Sequence, residues 1–182
     1  MTTRPRHRPF TLEELRAYLI EVFPQAWTRG DYAIEEAGPM TATVRLNYHP
    51  DHLRPGGTIS GPSMFALCDL ALYVAILHEI GPVKLAVTTN VSIHFLRKPE
   101  PKDLIGKAKL MKLGKRLAVG EVALFSPGLD DMVAHATGNV LDPGVRGLSG
   151  GRSRPGASAG SLAGTATRLI AISRRTNQTA RP

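Results

Sequence analysis

Between Pro62 and Leu77 the chain reads PSMFALCDLALYVAIL, sixteen residues of which fifteen are apolar or small and one, Asp69, is charged. Ser60-Gly61-Pro62 just before it reads as a helix start, with Ser as N-cap and Pro among the first helical residues. A helix that is apolar on every side is a buried helix. It has to be covered all round, and this limits the folds open to the rest of the chain. An unpaired carboxylate at its centre is expensive to bury, so Asp69 calls for a reason of its own.

The flanking segments supply the cover. Phe10–Pro24 opens on Thr11 with Glu14 three residues later, a capping box, and Leu12, Leu15, Leu19, Val22 and Phe23 share one side at helical spacing. Asp31–Glu36 and Thr41–Tyr48 read as strands around a Gly38-Pro39 turn. A Pro/Gly-rich loop, Asp51–Ile59, leads to the apolar helix, and Gly81-Pro82 ends it. Leu85–Leu96 alternates: Val87, Thr89, Val91, Ile93 and Phe95 on one face, Thr88, Asn90, Ser92 and His94 on the other. Asp103–Leu113, a Gly114-Lys115-Arg116 hairpin, Leu117–Ser126 and Met132–Leu141 complete the set. Long strands with short turns predict an antiparallel meander. The expected fold is α+β: a curved antiparallel sheet wrapped around one long central helix, with an N-terminal helix beside it.

The same reading divides the chain. Residues 1–142 form the domain, with 40–141 as its core. Residues 143–182 are rich in Gly, Ser, Pro and Arg and lack apolar periodicity, which predicts a low-complexity, disordered tail. The net charge of +8 belongs to that tail: residues 143–182 hold seven Arg and no acid, leaving 16 Lys/Arg against 15 Asp/Glu in 1–142. A nucleic-acid-binding domain is therefore disfavoured. The leading MTTRPRHRPF has no apolar segment behind its basic residues, so no secretory signal is expected, and no apolar run approaches the ~20 residues of a membrane span. The single cysteine, Cys68, reads as a small core residue rather than a catalytic thiol, and a cytoplasmic location is expected.

The loop–helix–strand block resembles the hotdog-fold acyl-CoA thioesterases of the phenylacetyl-CoA (PaaI-like) type. In that family a loop N-x-x-G-x-x-H-G-G opens a long helix carrying a catalytic Asp or Glu, and a strand T-x-x-l-x-i-x-[FY]-L-R follows. Here the loop reads Arg54-Pro-Gly-Gly57-Thr-Ile-Ser60-Gly61-Pro62, the helix carries Asp69, and the strand runs from Thr88 to Phe95-Leu96-Arg97. Arg54 stands for the family's Asn, Ser60 for its His and Pro62 for its second Gly. The resemblance covers about residues 40–141 and implies hydrolysis of an acyl-CoA thioester, with coenzyme A entering as part of the substrate and no separate cofactor or metal. It also implies a homodimer, or a dimer of dimers, with sites at the subunit interface.

Thioester hydrolysis needs a polarised carbonyl and an activated nucleophile. The Gly61 N–H at the helix N-terminus is the candidate oxyanion donor, and Asp69 the candidate general base or nucleophile. Eight residues at 1.5 Å rise put them about 12 Å apart along one helix, too far to act on one carbonyl. The resemblance implies the resolution: Gly61 of one subunit works with Asp69 of the other. Thr88, Thr89 and Asn90 are candidates to orient water or substrate, and Ser60 to add a hydroxyl. Arg54, Arg97, Lys98, Lys115 and Arg116 are candidates around the coenzyme A phosphates, and Gly57 is a further substrate-binding candidate. A Ser60 nucleophile lacks the rest of a triad, and His49 with His52 lacks further metal ligands. Two other functions stay open: a non-catalytic acyl-CoA-binding or regulatory hotdog protein, and an enoyl-thioester hydratase or dehydratase with His94 as its core-strand candidate.

Overall fold

A computed structural model describes residues 8–82 and 86–141. The expected tail, 143–182, lies outside them. Helix α1 (Leu12–Val22) and a short turn of helix, α2 (Pro24–Trp27), precede strands β1 (Tyr32–Gly38) and β2 (Thr41–Leu46). A two-residue hairpin, β3 (Leu53–Arg54) and β4 (Thr58–Ile59), leads into helix α3 (Gly61–Ile80). Strands β5 (Val87–Phe95), β6 (Leu104–Leu113), β7 (Leu117–Phe125) and β8 (Met132–Leu141) follow. The capping box of α1 forms in both directions: Glu14 N–H donates to Thr11 Oγ1 at 3.2 Å and Thr11 N–H to Glu14 Oε2 at 2.8 Å. Ser60 caps α3, and Gly81 ends it at φ 79°, its N–H bonded to the Leu77 carbonyl at 2.9 Å.

Six strands make one antiparallel sheet in the order β1-β2-β6-β7-β8-β5. Only β6, β7 and β8 form the expected meander. The connection after β5 carries the chain across the sheet, so β5 lies at one edge beside β8, and β1 at the other. Helix α3 packs on one face and touches all six strands, which is the hotdog arrangement. Glycines let it come close. A Cβ on Gly106 of β6 would stand 3.1 Å from Leu67, and Cβ atoms on Gly120 and Gly138 would each stand 2.7 Å from Leu72. Gly120 and Gly138 are cross-strand partners, so Leu72 sits in a notch made by two facing glycines.

Two sequence expectations are corrected. By length and apolarity α3 does match a membrane span, with 20 residues and a mean hydropathy of 1.6, because the helix extends past the uninterrupted apolar run. The fold buries 61% of that window. Strand β5 also breaks its predicted alternation. A β-bulge between Thr88 and Asn90 inserts an extra residue at Thr89, and Thr88 then pairs with Val140, Val91 with Gly138. Val140 and Gly138 face α3, so Thr88 shares the helix-facing side with Val91, Ile93 and Phe95 instead of opposing them.

Candidate active site

Asp69 occupies the ninth position of α3, between the buried Cys68 and Leu70. The bulge aims Thr88 at it: Thr88 Oγ1 donates to Asp69 Oδ1 at 2.7 Å. Burial pushes the Asp69 carboxyl above the ordinary carboxylate range, and the Thr88 hydrogen bond pulls in the opposite direction. The carboxylate is therefore held by one oxygen. Cys68 beside it is fully buried, and burial pushes its thiol up to about 12, which suits packing rather than nucleophilic chemistry.

The N-terminus of α3 is stripped to one free donor. Ser60 Oγ accepts from Ser63 N–H at 3.3 Å and lies 2.8 Å from Ser63 Oγ, so both serines are occupied with each other. Pro62 has no N–H. The Gly61 N–H has no acceptor among the described residues. The arriving loop is pinned: Ser60 N–H donates to the His52 carbonyl at 2.8 Å, and Thr58 Oγ1 to the Pro99 carbonyl at 2.7 Å. A helix N-terminus with one unsatisfied amide suits a developing oxyanion.

The other predicted residues separate into two ends. Arg54 ends β3, exposed, and its carbonyl accepts from Gly57 N–H at 3.1 Å. Gly57 serves the hairpin turn, at φ +67° with open space around its Cα. Arg97 follows β5, exposed, and pairs with Asp131 at 3.3 Å; Lys98 beside it is also exposed. Lys115 and Arg116 lie in the β6–β7 turn, where Arg116 lines a shallow hollow with Ile76 and Ile80 at the C-terminal end of α3. Fifteen residues of helix separate Gly61 from Ile76, about 22 Å, so one protomer does not gather all these cations around one site. Of the strand trio only Thr88 reaches the site. Thr89 is exposed and donates to the Asn139 carbonyl at 3.1 Å, and Asn90 is exposed.

The histidine expectation is also corrected. His94 is exposed on the sheet face away from α3 and pairs across strands with His135. The strand histidine beside a carboxylate is His135, whose Nε2 lies 3.2 Å from Glu121 Oε2. Alternation alone could not reveal this pair, because its members come from different strands.

What the sequence reading missed is aromatic. Phe95, the last residue of β5, points its ring tip at Gly61: a Cβ there would stand 3.3 Å from Phe95 Cζ. Phe65, one turn along α3 from Gly61 and one turn before Asp69, is also exposed. The phase of Val91, Ile93 and Phe95 along β5 was the available signal.

The profile of the thioesterase superfamily matches residues 56–132. No curated protein shows significant similarity. Among solved structures, a candidate thioesterase from a Silicibacter species is 49% identical, aligned over 72% of this chain and 91% of its own, with a TM-score of 0.67. A mutant of the phenylacetic acid degradation protein PaaI from Thermus thermophilus is 26% identical over 64% of this chain and 97% of its own, TM-score 0.57. Zebrafish thioesterase superfamily member 2, at 18% identity over 73% of this chain and 99% of its own (TM-score 0.64), shares the fold. The matched profile spans the loop before α3, the carboxylate on that helix and the strand that holds it, and with a 49%-identical relative aligned over nine-tenths of its length, the chain belongs to the thioesterase superfamily.

Proposed function

We propose that the protein hydrolyses acyl-CoA thioesters, as a PaaI-like member of the superfamily, at two equivalent sites in a symmetric dimer. One observation carries the reading: the carboxylate of Asp69, the one charge in the apolar run Pro62–Leu77 of α3, half-buried and held through one oxygen by Thr88 at 2.7 Å. Burying a charge without a use for it is costly. The second oxygen remains to bind and deprotonate a water.

The thioester oxygen accepts the Gly61 N–H of one subunit, which with the helix dipole stabilises the charge that develops there. A water on Asp69 of the other subunit attacks the carbonyl carbon as its proton passes to the free carboxylate oxygen. The tetrahedral intermediate collapses, the C–S bond breaks, and the Asp69 proton goes to the departing thiolate. Free acid and coenzyme A leave, with Asp69 again ionised. In a nucleophilic version Asp69 attacks first, and water then cleaves the mixed anhydride. Both versions need the same two groups.

The 12 Å helix spacing and the open edge of β5 support the dimer. Among the described residues that nine-residue strand pairs only with β8, and it carries Val87 and Phe95 half exposed. An unpaired apolar edge of this length invites a second strand, and a C2 axis beside it gives two identical sites.

The test is steady-state release of coenzyme A from a panel of acyl-CoA thioesters by the wild type and Asp69→Ala. Turnover by the wild type with a loss of about 10²–10⁴-fold in the variant is expected. Binding without turnover would favour a non-catalytic acyl-CoA-binding protein, and unchanged turnover in the variant would overturn the role of Asp69.

A further inference from the structure

Each of the two candidate groups on α3 is met by a side chain of β5: Thr88 bonds Asp69, and Phe95 covers Gly61. The first contact orients the carboxylate. The second has no counterpart in the chemistry so far. Three ring carbons of Phe95 lie 3.3–3.9 Å from where a Gly61 Cβ would be, so the ring tip fills the space beside the one free amide of the helix N-terminus. In the single chain Phe95 is nonetheless 54% exposed, because β5 is an edge strand. Its backbone is firm: the N–H groups of Leu96 and Arg97 both donate to the Val133 carbonyl, at 2.9 and 3.0 Å. Side-chain rotation about a fixed Cα is therefore the freedom this residue has.

We propose that Phe95 is a specificity-determining gate that admits acyl groups with an unbranched α-carbon and rejects α-branched ones. The inference rests on Gly61 receiving the thioester oxygen. With that oxygen about 2.9 Å from the amide, the acyl α-carbon lies within about 5 Å of Gly61, in the space the ring tip borders. A methylene there slides along the ring edge. A second substituent on the same carbon collides with it or forces the ring aside. Phe65, exposed one helical turn further, continues the apolar wall toward Asp69. The glycine itself belongs to the device, since any Cβ at position 61 would press on the ring.

The experiment compares n-butyryl-CoA with isobutyryl-CoA, using the full chain as wild type, Phe95→Ala, Phe95→Tyr and Asp69→Ala. Phe95→Ala is expected to raise the isobutyryl-to-butyryl ratio of kcat/KM about tenfold or more, the scale at which one misplaced carbon is discriminated in an apolar site. Phe95→Tyr keeps the wild-type ratio. An unchanged ratio in Phe95→Ala, with that variant folded by circular dichroism, overturns the gate. Calorimetric binding of the matching ketone analogues, with a methylene between sulfur and carbonyl, separates the two readings. If the wild type does not hydrolyse either thioester but Phe95→Ala still shifts the binding ratio toward the branched analogue, the gate stands and hydrolysis falls. If neither analogue binds the wild type, both fall.

Discussion

At the scale of single residues, Asp69 is a group whose usefulness and stability conflict. Burial raises its carboxyl above the ordinary range, so between the unfolded and folded values the native state holds more proton than the unfolded one. Stability then falls as pH rises through that window, the opposite of a salt-bridged aspartate, and the loss persists at neutral pH. Asp69→Asn is therefore expected to raise the melting temperature at pH 7 while lowering turnover about 10²-fold or more, read by calorimetry and coenzyme A release. The same shift sets the acid limb of the pH–rate profile, because only ionised Asp69 takes a proton. That limb is expected above the ordinary carboxylate range. Thr88→Val removes the hydrogen bond that favours the charged form and moves the limb higher still, whereas Thr88→Ser leaves it in place. A profile unmoved by Thr88→Val would separate Thr88 from the function of Asp69.

At the scale of elements, the seat of α3 on the sheet depends on missing side chains. Leu72 occupies the notch between Gly120 and Gly138, and a Cβ on Gly120 would also stand 3.0 Å from the Lys109 carbonyl, a backbone atom that cannot rotate away. Gly120→Ala is expected to destabilise by about 1–3 kcal/mol in denaturant melts through overpacking. Leu72→Ala leaves a cavity, at about 2–5 kcal/mol. The double variant should cost less than the sum, since each change relieves part of the other's strain. Strict additivity would mean that Leu72 does not fill the notch. The helix signals here, Thr11 with Glu14 and Ser60 with Gly81, could be read from sequence because capping is local. The notch could not, because it joins residues 48 and 66 positions beyond Leu72 in the chain.

At the scale of the whole molecule, the shared-site arrangement makes a sharp forecast. Gly61→Pro removes the free amide and sets a Cβ against the Phe95 ring; Ser60 is already extended at ψ 153°, as a residue before proline must be, and the first helical position tolerates proline. Gly61→Pro and Asp69→Ala are each expected to be inactive alone. Refolded together at equal amounts, half the dimers are mixed, and each mixed dimer contains one intact site, so about a quarter of wild-type activity should return. Recovery of none would mean that both groups act within one subunit or not together. Sedimentation of the wild type should show a dimer or a multiple of it.

Read locally, the chain predicts the two long helices and the six sheet strands, a sheet wrapped around α3, and a reason for Asp69 to be there, while α2 and the β3–β4 hairpin came only with the structure. Those predictions follow from periodicity, capping and the cost of a buried charge, all of which act over a few residues. The tertiary structure decided what surrounds the carboxylate. A bulge of one residue at Thr89 rotates Thr88 inward and turns an expected outward face into the partner of Asp69, and no alternation rule places such an insertion. The approach of Phe95 to Gly61 is likewise a meeting of two elements 34 positions apart, fixed by where β5 joins the sheet. The charge at the centre of α3 was visible from the start, and its neighbours came only with the fold.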